Sequence, residues 1–285
     1  MSKLKIAIQK NGRLTEKSVR LLEACGISFS NGDRKLISSS GNFPLDLLYL
    51  RDDDIPQAVE QNVADAGILG ENVVIERAKE VAVIEKLGFG TCRLSLAIPK
   101  DEEYTGPEYF TNKRIATGYP FILNRFFKER SIPIQPEIIG GSVEIAPGIG
   151  LADAVFDIVS TGSTLLMNGL KEVETVCKSE AVLIANPSLS SEKSDILNKL
   201  LFRIRAVKRA KEHKYILLNA PDDAVPEICK LLPAMKSPTV LPLAETGWSS
   251  LHSVIREDDF WDVIDRLKLA GAQGILVVPI EKMIV

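Results

Sequence analysis

The chain reads as an α/β protein made of two similar lobes, followed by a separate domain of ferredoxin-like order. Three observations predict this. Short apolar strands alternate with amphipathic helical patterns through most of the chain, one motif recurs within that stretch, and the element pattern changes from Lys214 onward. At 285 residues with 45% hydrophobic content, the chain has material for two or three well-packed domains.

The first strand is KIAIQ. It runs into the turn QKNGRL, which sets Lys10, Gly12 and Arg13 at the edge of any cleft above the sheet. The helical pattern TEKSVRLLEACG follows. Arg51 and the run Asp52, Asp53, Asp54 precede Pro56 and the helix QAVEQNV; one aspartate fits an N-cap and its neighbours fit the helix dipole. VADAGILGENVV, from Val63 to Val74, gives an ADA tripeptide, an apolar strand, a glycine turn and a helix. The strand RLSLAIP carries Arg93 at its start, and the polar, turn-rich stretch from Lys100 to Lys113, with Gly106 and Pro107, suits a crossover between lobes. The strand KRIATGY and the helix PFILNRFFKERS open the second lobe. Glu144, in GGSVEIAPGIG, follows a glycine pair and fits either a helix cap or a contact from the facing wall of a site.

LADAVFDIVSTGSTL, from Leu151 to Leu165, repeats the order of the first motif: ADA, strand, glycine turn, helix. Two such lobes place two glycine turns around one cleft, which brings Asp65 and Gly70 in as candidates opposite the second turn. Period-2 alternation puts Asp153 and Asp157 on one face of the second strand, expected near its carboxyl end, where ligands sit in open α/β sheets. Ser160, Thr161, Gly162, Ser163 and Thr164 then offer N–H groups, hydroxyls and a flexible glycine at a helix start, a geometry suited to a phosphate. Carboxylates that accept from sugar hydroxyls or hold Mg²⁺ through water, set before an anion turn, point to a sugar phosphate.

AVLIANP reads as a return strand and SSEKSDILNKLLFRIRAVKRAKEHK as a long helix leaving the lobes. The remainder gives YILLNA, the helix DDAVPEICKLLPAM, TVLPLA, SSLHSVIR, the helix EDDFWDVIDRLKLAGA and GILVVPI, the βαββαβ order. The boundaries expected are 1–97 for lobe I, 98–180 for lobe II, 181–210 for the return and linking helix, and 211–285 for the last domain. Phe260 and Trp261 read as core, Trp248 as a loop or interface aromatic, and His252 as structural.

A net charge of −3 and a pI near 5.7 give no general attraction to nucleic acid or anionic lipid. Cys25, Cys92, Cys177 and Cys229 are dispersed, and only His213 and His252 join them, a pattern that argues against zinc or haem. The opening apolar run is too short for an export signal and no later stretch matches a membrane span. The expectation is a cytoplasmic protein with reduced thiols. A two-lobed binding protein without chemistry is the competing class, disfavoured by the missing export signal and DNA-binding helix pair.

QKNGRL, LRDDDIP, DAGILGENV, GFGTCRLSLAIP, KRIATGYP, GSVEIAPGIGLADAVFDIVSTGSTL, SPTVLPLA and ILVVPIEKM closely resemble, in order, the segments of the ATP phosphoribosyltransferase family in its long form. The resemblance implies a two-lobed, periplasmic-binding-protein-like catalytic core with an ACT-like regulatory domain. It implies transfer of the phosphoribosyl group of phosphoribosyl pyrophosphate to N1 of ATP with Mg²⁺ required, the first step of histidine biosynthesis. On that resemblance Asp157 to Thr164 hold the 5′-phosphate and ribose, Asp153 and Glu144 lie near the ribose or adenine, and Lys10, Arg13, Arg51 and Arg93 meet polyphosphate. The Mg²⁺ is expected on the substrate phosphates. The final domain is implied to bind histidine as a feedback inhibitor, with Asn219, Ser237 and Thr239 as contacts, AMP competing at the active site, and dimers or hexamers formed. Asn219 stands where the family can present an aspartate. Asp157 is followed by Ile158 and not by a second acid, which argues against the purine-salvage and orotate enzymes.

Overall fold

The computed structural model describes residues 2–29, 36–232 and 237–284. The chain divides into two compact units, Met1–Arg20 with Ile27–Leu197, and Leu21–Gly26 with Asn198–Val285.

The first unit holds two sheets. Lobe I contains β1 (Leu4–Gln9), α1 (Arg13–Ala24), β2 (Ile37–Ser39), β3 (Leu45–Leu50), α2 (Ile55–Glu60), β4 (Ala66–Gly70), α3 (Glu71–Arg77) and β5 (Ala82–Lys86). Lobe II contains β6 (Cys92–Pro99), β7 (Arg114–Thr117), α4 (Pro120–Lys128), β8 (Gln135–Ile138), β9 (Ala154–Val159), α5 (Ser163–Met167) and β10 (Leu170–Ser179). β11 (Ala181–Ala185) then returns to the first sheet, whose order is β2-β3-β1-β4-β11-β5, while the second is β10-β6-β9-β7-β8. This is the two-lobed α/β core that the sequence predicts.

One boundary moves. β6 was expected to end lobe I at residue 97, but it pairs antiparallel with β9 and β10, so the chain changes sheet between Lys86 and Cys92. An apolar strand such as RLSLAIP fits either sheet, and only its pairing decides. β10 has no counterpart among the sequence expectations: LKEVETVCKS is an edge strand with two register shifts, mostly half-buried, so it carries no clean alternation.

In each sheet the parallel strands share one carboxyl edge. β1 is parallel to β3 and β4, and β7 is parallel to β8 and β9. Such strands are buried on both faces and read as continuous apolar runs: Ile6, Ala7, Ile8, Ile68 and Leu69 in lobe I, Ile115, Ala154, Val155 and Phe156 in lobe II. α4 starts with Pro120, whose missing N–H costs nothing in a first turn. It buries Ile122, Leu123, Phe126 and Phe127 against Phe110 and Phe156. Its next two N–H groups, of Phe121 and Ile122, are capped across the lobes by the Glu76 carboxylate of α3, at 2.9 and 3.0 Å.

α6 (Ser191–Lys211) leads to β12 (His213–Pro221), α7 (Val225–Leu231), β13 (Thr239–Pro242), β14 (Trp248–Arg256), α8 (Glu257–Leu269) and β15 (Gln273–Pro279). The antiparallel order β13-β14-β12-β15 is the ferredoxin-like arrangement expected from βαββαβ. One sheet face buries Ile216, Leu218, Ala220, Leu251 and Ile255 against Ile228, Phe260 and Leu267 of the helices. Trp261 departs from expectation: it is 70% exposed while Phe260 is buried, because adjacent helical positions point about 100° apart. The sequence extends the α7 pattern through LLPAM, of which residues 233–235 lie outside the described residues.

Candidate functional site

β9 delivers Asp157 near its carboxyl end, and the chain then turns through Ser160, Thr161 and Gly162 into α5. Gly162 has φ +83°, a conformation that costs an L-residue about 1–2 kcal/mol. The Thr161 and Ser163 hydroxyls lie 3.0 Å apart, and among the described residues no hydrogen bond leaves the N–H groups of Thr161 and Gly162. Free N–H groups beside two hydroxyls can receive an anion.

This turn lines a pocket of about 440 Å³, together with Asp157, Glu144 and Arg13. Glu144 sits in a 3-10 turn after β8, whose Val143 and Ala146 anchor it in the core. Arg13 comes from the first turn of α1 in lobe I. Burial raises the Asp157 carboxyl above its ordinary range. The Ile158 N–H partly offsets this, and the nearby Glu144 charge adds to it. The pocket thus offers an anion turn, two carboxylates to accept from hydroxyls, and one cation from the facing lobe. That set fits a sugar phosphate.

The repeated motif has a different role from the one expected. Asp153 lies at the amino end of β9, away from the pocket. Its N–H donates to the Arg114 carbonyl, its carboxylate accepts the Arg114 N–H at 2.9 Å, and it pairs with the Arg114 guanidinium at 2.9 Å. The Arg114 contacts hold the Asp153 carboxyl below its ordinary range. Asp65 repeats the pattern before β4. Its N–H donates to the Lys5 carbonyl, its carboxylate accepts the Lys5 N–H at 2.8 Å, and Lys193 pairs with it at 2.7 Å. Both ADA aspartates therefore clip neighbouring parallel strands together at the edge opposite the ligand edge. Asp157 stands four residue steps along the strand from Asp153, roughly 13 Å at about 3.3 Å per residue.

The first glycine turn is also engaged. The Glu71 N–H donates to the Glu180 carbonyl, and the Asn72 N–H donates to Ser179 Oγ. Ser179 Oγ donates to Asn72 Oδ1, whose amide nitrogen donates to the Tyr119 hydroxyl. A Cβ on Gly70 would lie 2.3 Å from Asn72 Oδ1. A side chain at Gly70 would thus have to displace the Asn72 amide at the lobe junction, and with the Glu71 and Asn72 N–H groups engaged no second anion turn forms there.

Among the cationic candidates, only Arg13 lines the pocket. Lys10 and Arg51 follow Gln9 and Leu50, which are partners in the β1–β3 register, so both stand exposed on the carboxyl edge of the first sheet beside Gly12. Arg93 is committed elsewhere: Nε and Nη2 meet the two Glu172 oxygens at 2.5 Å and Nη1 donates to the Ser160 carbonyl at 3.0 Å. Asp54 occupies the position before α2 without making a side-chain cap, whereas Asp53 pairs with Arg77 and Asp52 accepts the Asp53 N–H. Tyr119 is the group that sequence reasoning misses. Burial, then the charges of Asp157, Asp52 and Asp53, push its phenol above the ordinary range, and its hydroxyl accepts the Asn72 amide N–H at 3.3 Å. Its signal was its place directly after the β7 strand, at the ligand edge.

In the second unit, Thr239 pairs with His252 and Asn219 with Ser250, so all four share the sheet face turned away from the helices. His252 is fixed between the Tyr215 hydroxyl at 2.8 Å and Ser250 Oγ at 3.1 Å, a structural role. Ser237 precedes β13 and is exposed.

Among the described residues no helix is long and apolar enough to cross a membrane. The family model for ATP phosphoribosyltransferase matches residues 51–206, and that for the HisG C-terminal domain matches residues 210–282. The chain is 57% identical over 281 residues to an ATP phosphoribosyltransferase of Cytophaga hutchinsonii, covering 99% of this chain and 98% of the relative. It is 56% identical over 282 residues to one of Bacteroides fragilis, covering 99% and 100%. Among solved structures, the ATP phosphoribosyl transferase (HisG:HisZ) complex from Thermotoga maritima matches with TM-score 0.62 and 28% identity, over 71% of this chain and 96% of that one.

Proposed function

The chain belongs to the ATP phosphoribosyltransferase family in its long form, acting at the first step of histidine biosynthesis, and we propose that the pocket at the end of β9 is its phosphoribosyl site. The observation that carries this is the convergence of Asp157, Glu144, Arg13 and the open turn Ser160–Thr164 on one cavity. In this reading the turn N–H groups and the hydroxyls of Thr161, Ser163 and Thr164 take the 5′-phosphate of phosphoribosyl pyrophosphate. Asp157 accepts from the ribose hydroxyls, and Glu144 stands close to the ribose or the adenine. Arg13, with Lys10 and Arg51 on the same sheet edge, faces the pyrophosphate.

Adenine N1 carries a lone pair at neutral pH. It forms the bond to the anomeric carbon as the bond from that carbon to pyrophosphate breaks, and pyrophosphate leaves with the electron pair. No protein nucleophile is needed; positioning and charge stabilisation supply the rate. Asp153, Asp65 and Gly70 stay outside the reacting groups and hold the scaffold. Among the described residues no group of three or more His, Cys, Asp or Glu side chains is placed to hold a metal. Mg²⁺ is proposed to enter with the substrate, on its phosphate oxygens.

The second unit is proposed to take histidine as a feedback inhibitor at the outer sheet face near Asn219 and Thr239, with Ser237 beside it. AMP is proposed to compete at the catalytic pocket, and the protein to work as a cytoplasmic homo-oligomer, dimer or hexamer. The test mixes protein, ATP, phosphoribosyl pyrophosphate, Mg²⁺ and a pyrophosphatase, and follows the ultraviolet change of N1-substituted adenine with and without histidine. Product formation that histidine suppresses supports both assignments. Product insensitive to histidine removes the regulatory one, and no product with ligand binding intact removes the catalytic one. Thr161→Ala is expected to lower kcat/KM for phosphoribosyl pyrophosphate at least about tenfold; a near-normal value would take the turn out of the site.

A further inference from the structure

The geometry points to Arg93 and Glu172 as a positioning pair that aims the phosphate turn, with Arg93 acting through the Ser160 peptide and not as a phosphate ligand. The inference rests on the reading of Ser160–Thr164 as the 5′-phosphate turn. Arg93 stands on β6 directly opposite Val159, the last residue of β9, and Glu172 stands on β10 on the other side of β6. The guanidinium meets both Glu172 oxygens at 2.5 Å, a fork geometry that leaves it one orientation. Its remaining arm, Nη1, reaches the Ser160 carbonyl at 3.0 Å.

That carbonyl shares a planar peptide unit with the Thr161 N–H, and in a trans peptide the two point in opposite directions. Holding the Ser160 oxygen toward Arg93 therefore fixes the direction of the Thr161 N–H, one of the open donors of the turn. A cation on the carbonyl also polarises the peptide and makes that N–H a stronger donor. Glu172 has its own support: it accepts from Thr175 Oγ1 at 3.4 Å, Thr175 is within 3.4 Å of Ser95 Oγ, and Ser95 is the cross-strand partner of Asp157. One polar chain thus ties the turn and the Asp157 strand to the edge strand β10. Neither Arg93 nor Glu172 lines the pocket.

The test measures calorimetric binding of ribose 5-phosphate, which carries the phosphate and ribose without pyrophosphate, to the full-length protein. It compares wild type with Arg93→Ala, Arg93→Lys, Glu172→Gln and Thr161→Ala, each checked for folding by circular dichroism. Arg93→Ala and Glu172→Gln should each weaken binding about tenfold, with KM for phosphoribosyl pyrophosphate rising and KM for ATP unmoved. Arg93→Lys, which keeps the charge but cannot hold both Glu172 oxygens and the Ser160 carbonyl, should weaken it too. A direct phosphate ligand would behave differently: released by Glu172→Gln, Arg93 would bind phosphate as well as before or better. Wild-type or tighter binding in Glu172→Gln, or undiminished binding in Arg93→Lys, overturns the inference while the phosphate turn stands. If Glu172→Gln does not fold, Arg93→Lys alone decides. Unchanged binding in Thr161→Ala, or none in wild type, overturns the phosphate turn and the inference together.

Discussion

Replacing Asp65 and Asp153 separately with alanine tests whether the ADA aspartates hold strands or hold substrate. The two make the same bonds in different surroundings. The Asp65 side chain is 4% exposed and its removal leaves the Lys5 N–H and the Lys193 ammonium, 29% exposed, without their acceptor. An unpaired N–H costs about 1–3 kcal/mol and a broken buried ion pair about 3–5 kcal/mol. The two losses overlap and Lys193 can reach water, so about 3 kcal/mol is expected. The Asp153–Arg114 pair has side chains 37% and 40% exposed, where solvent screens the charges and water can replace the lost acceptor. About 1 kcal/mol is expected there. The difference of about 2 kcal/mol is roughly a thirtyfold change in the folding constant. Urea unfolding followed by far-ultraviolet circular dichroism measures it; tryptophan emission does not report on this unit, since Trp248 and Trp261 both lie in the second. Asp153→Ala should still bind ribose 5-phosphate within about twofold of wild type, because the site offers it no contact. Equal stability losses for the two variants, or an Asp153→Ala protein that is stable but cannot bind, would refute the reasoning.

Asp157→Asn should lower kcat/KM by about a hundredfold or more without loss of stability. Burial raises its folded pKa above the unfolded value, so the group adds stability below the unfolded value and loses it as pH rises through the folded one. Ionised Asp157 therefore costs stability at neutral pH; unfolding curves should find Asp157→Asn at least as stable as wild type at pH 7, an advantage that shrinks near about pH 4. Gly70→Ala, with its Cβ 2.3 Å from Asn72 Oδ1, should displace the Asn72 amide from Ser179 and Tyr119 and cost about 1–3 kcal/mol; an unchanged urea midpoint would mean that the junction relaxes freely.

Most of the fold was legible because its signals are local. Period-2 and continuous apolar runs marked β1, β7, β9 and β11, and helical spacing with Pro120 marked α4. The βαββαβ order of the second unit also read correctly from one pattern after another. β10 and the sheet to which β6 belongs did not, since an edge strand lacks alternation and a buried strand names no partner. For the site, the turn Ser160–Thr164 with Asp157 was readable from glycine, hydroxyls and a carboxylate in one short stretch, and Glu144 and Arg13 joined it as candidates.

The sequence by itself determined the fold class, the family and the anion turn, all properties of residues near one another in the chain. It could not separate the two ADA motifs' shared clip from a ligand contact, nor tell the engaged glycine turn at Gly70 from the open one at Gly162. Those differences lie in partners distant in the chain: Lys193 and Lys5 for Asp65, Ser179 and Glu180 for the first turn, Glu172 for Arg93. Whether an N–H or a carboxylate is available to substrate depends on whether the fold has already brought it a partner, and only the tertiary structure decides that.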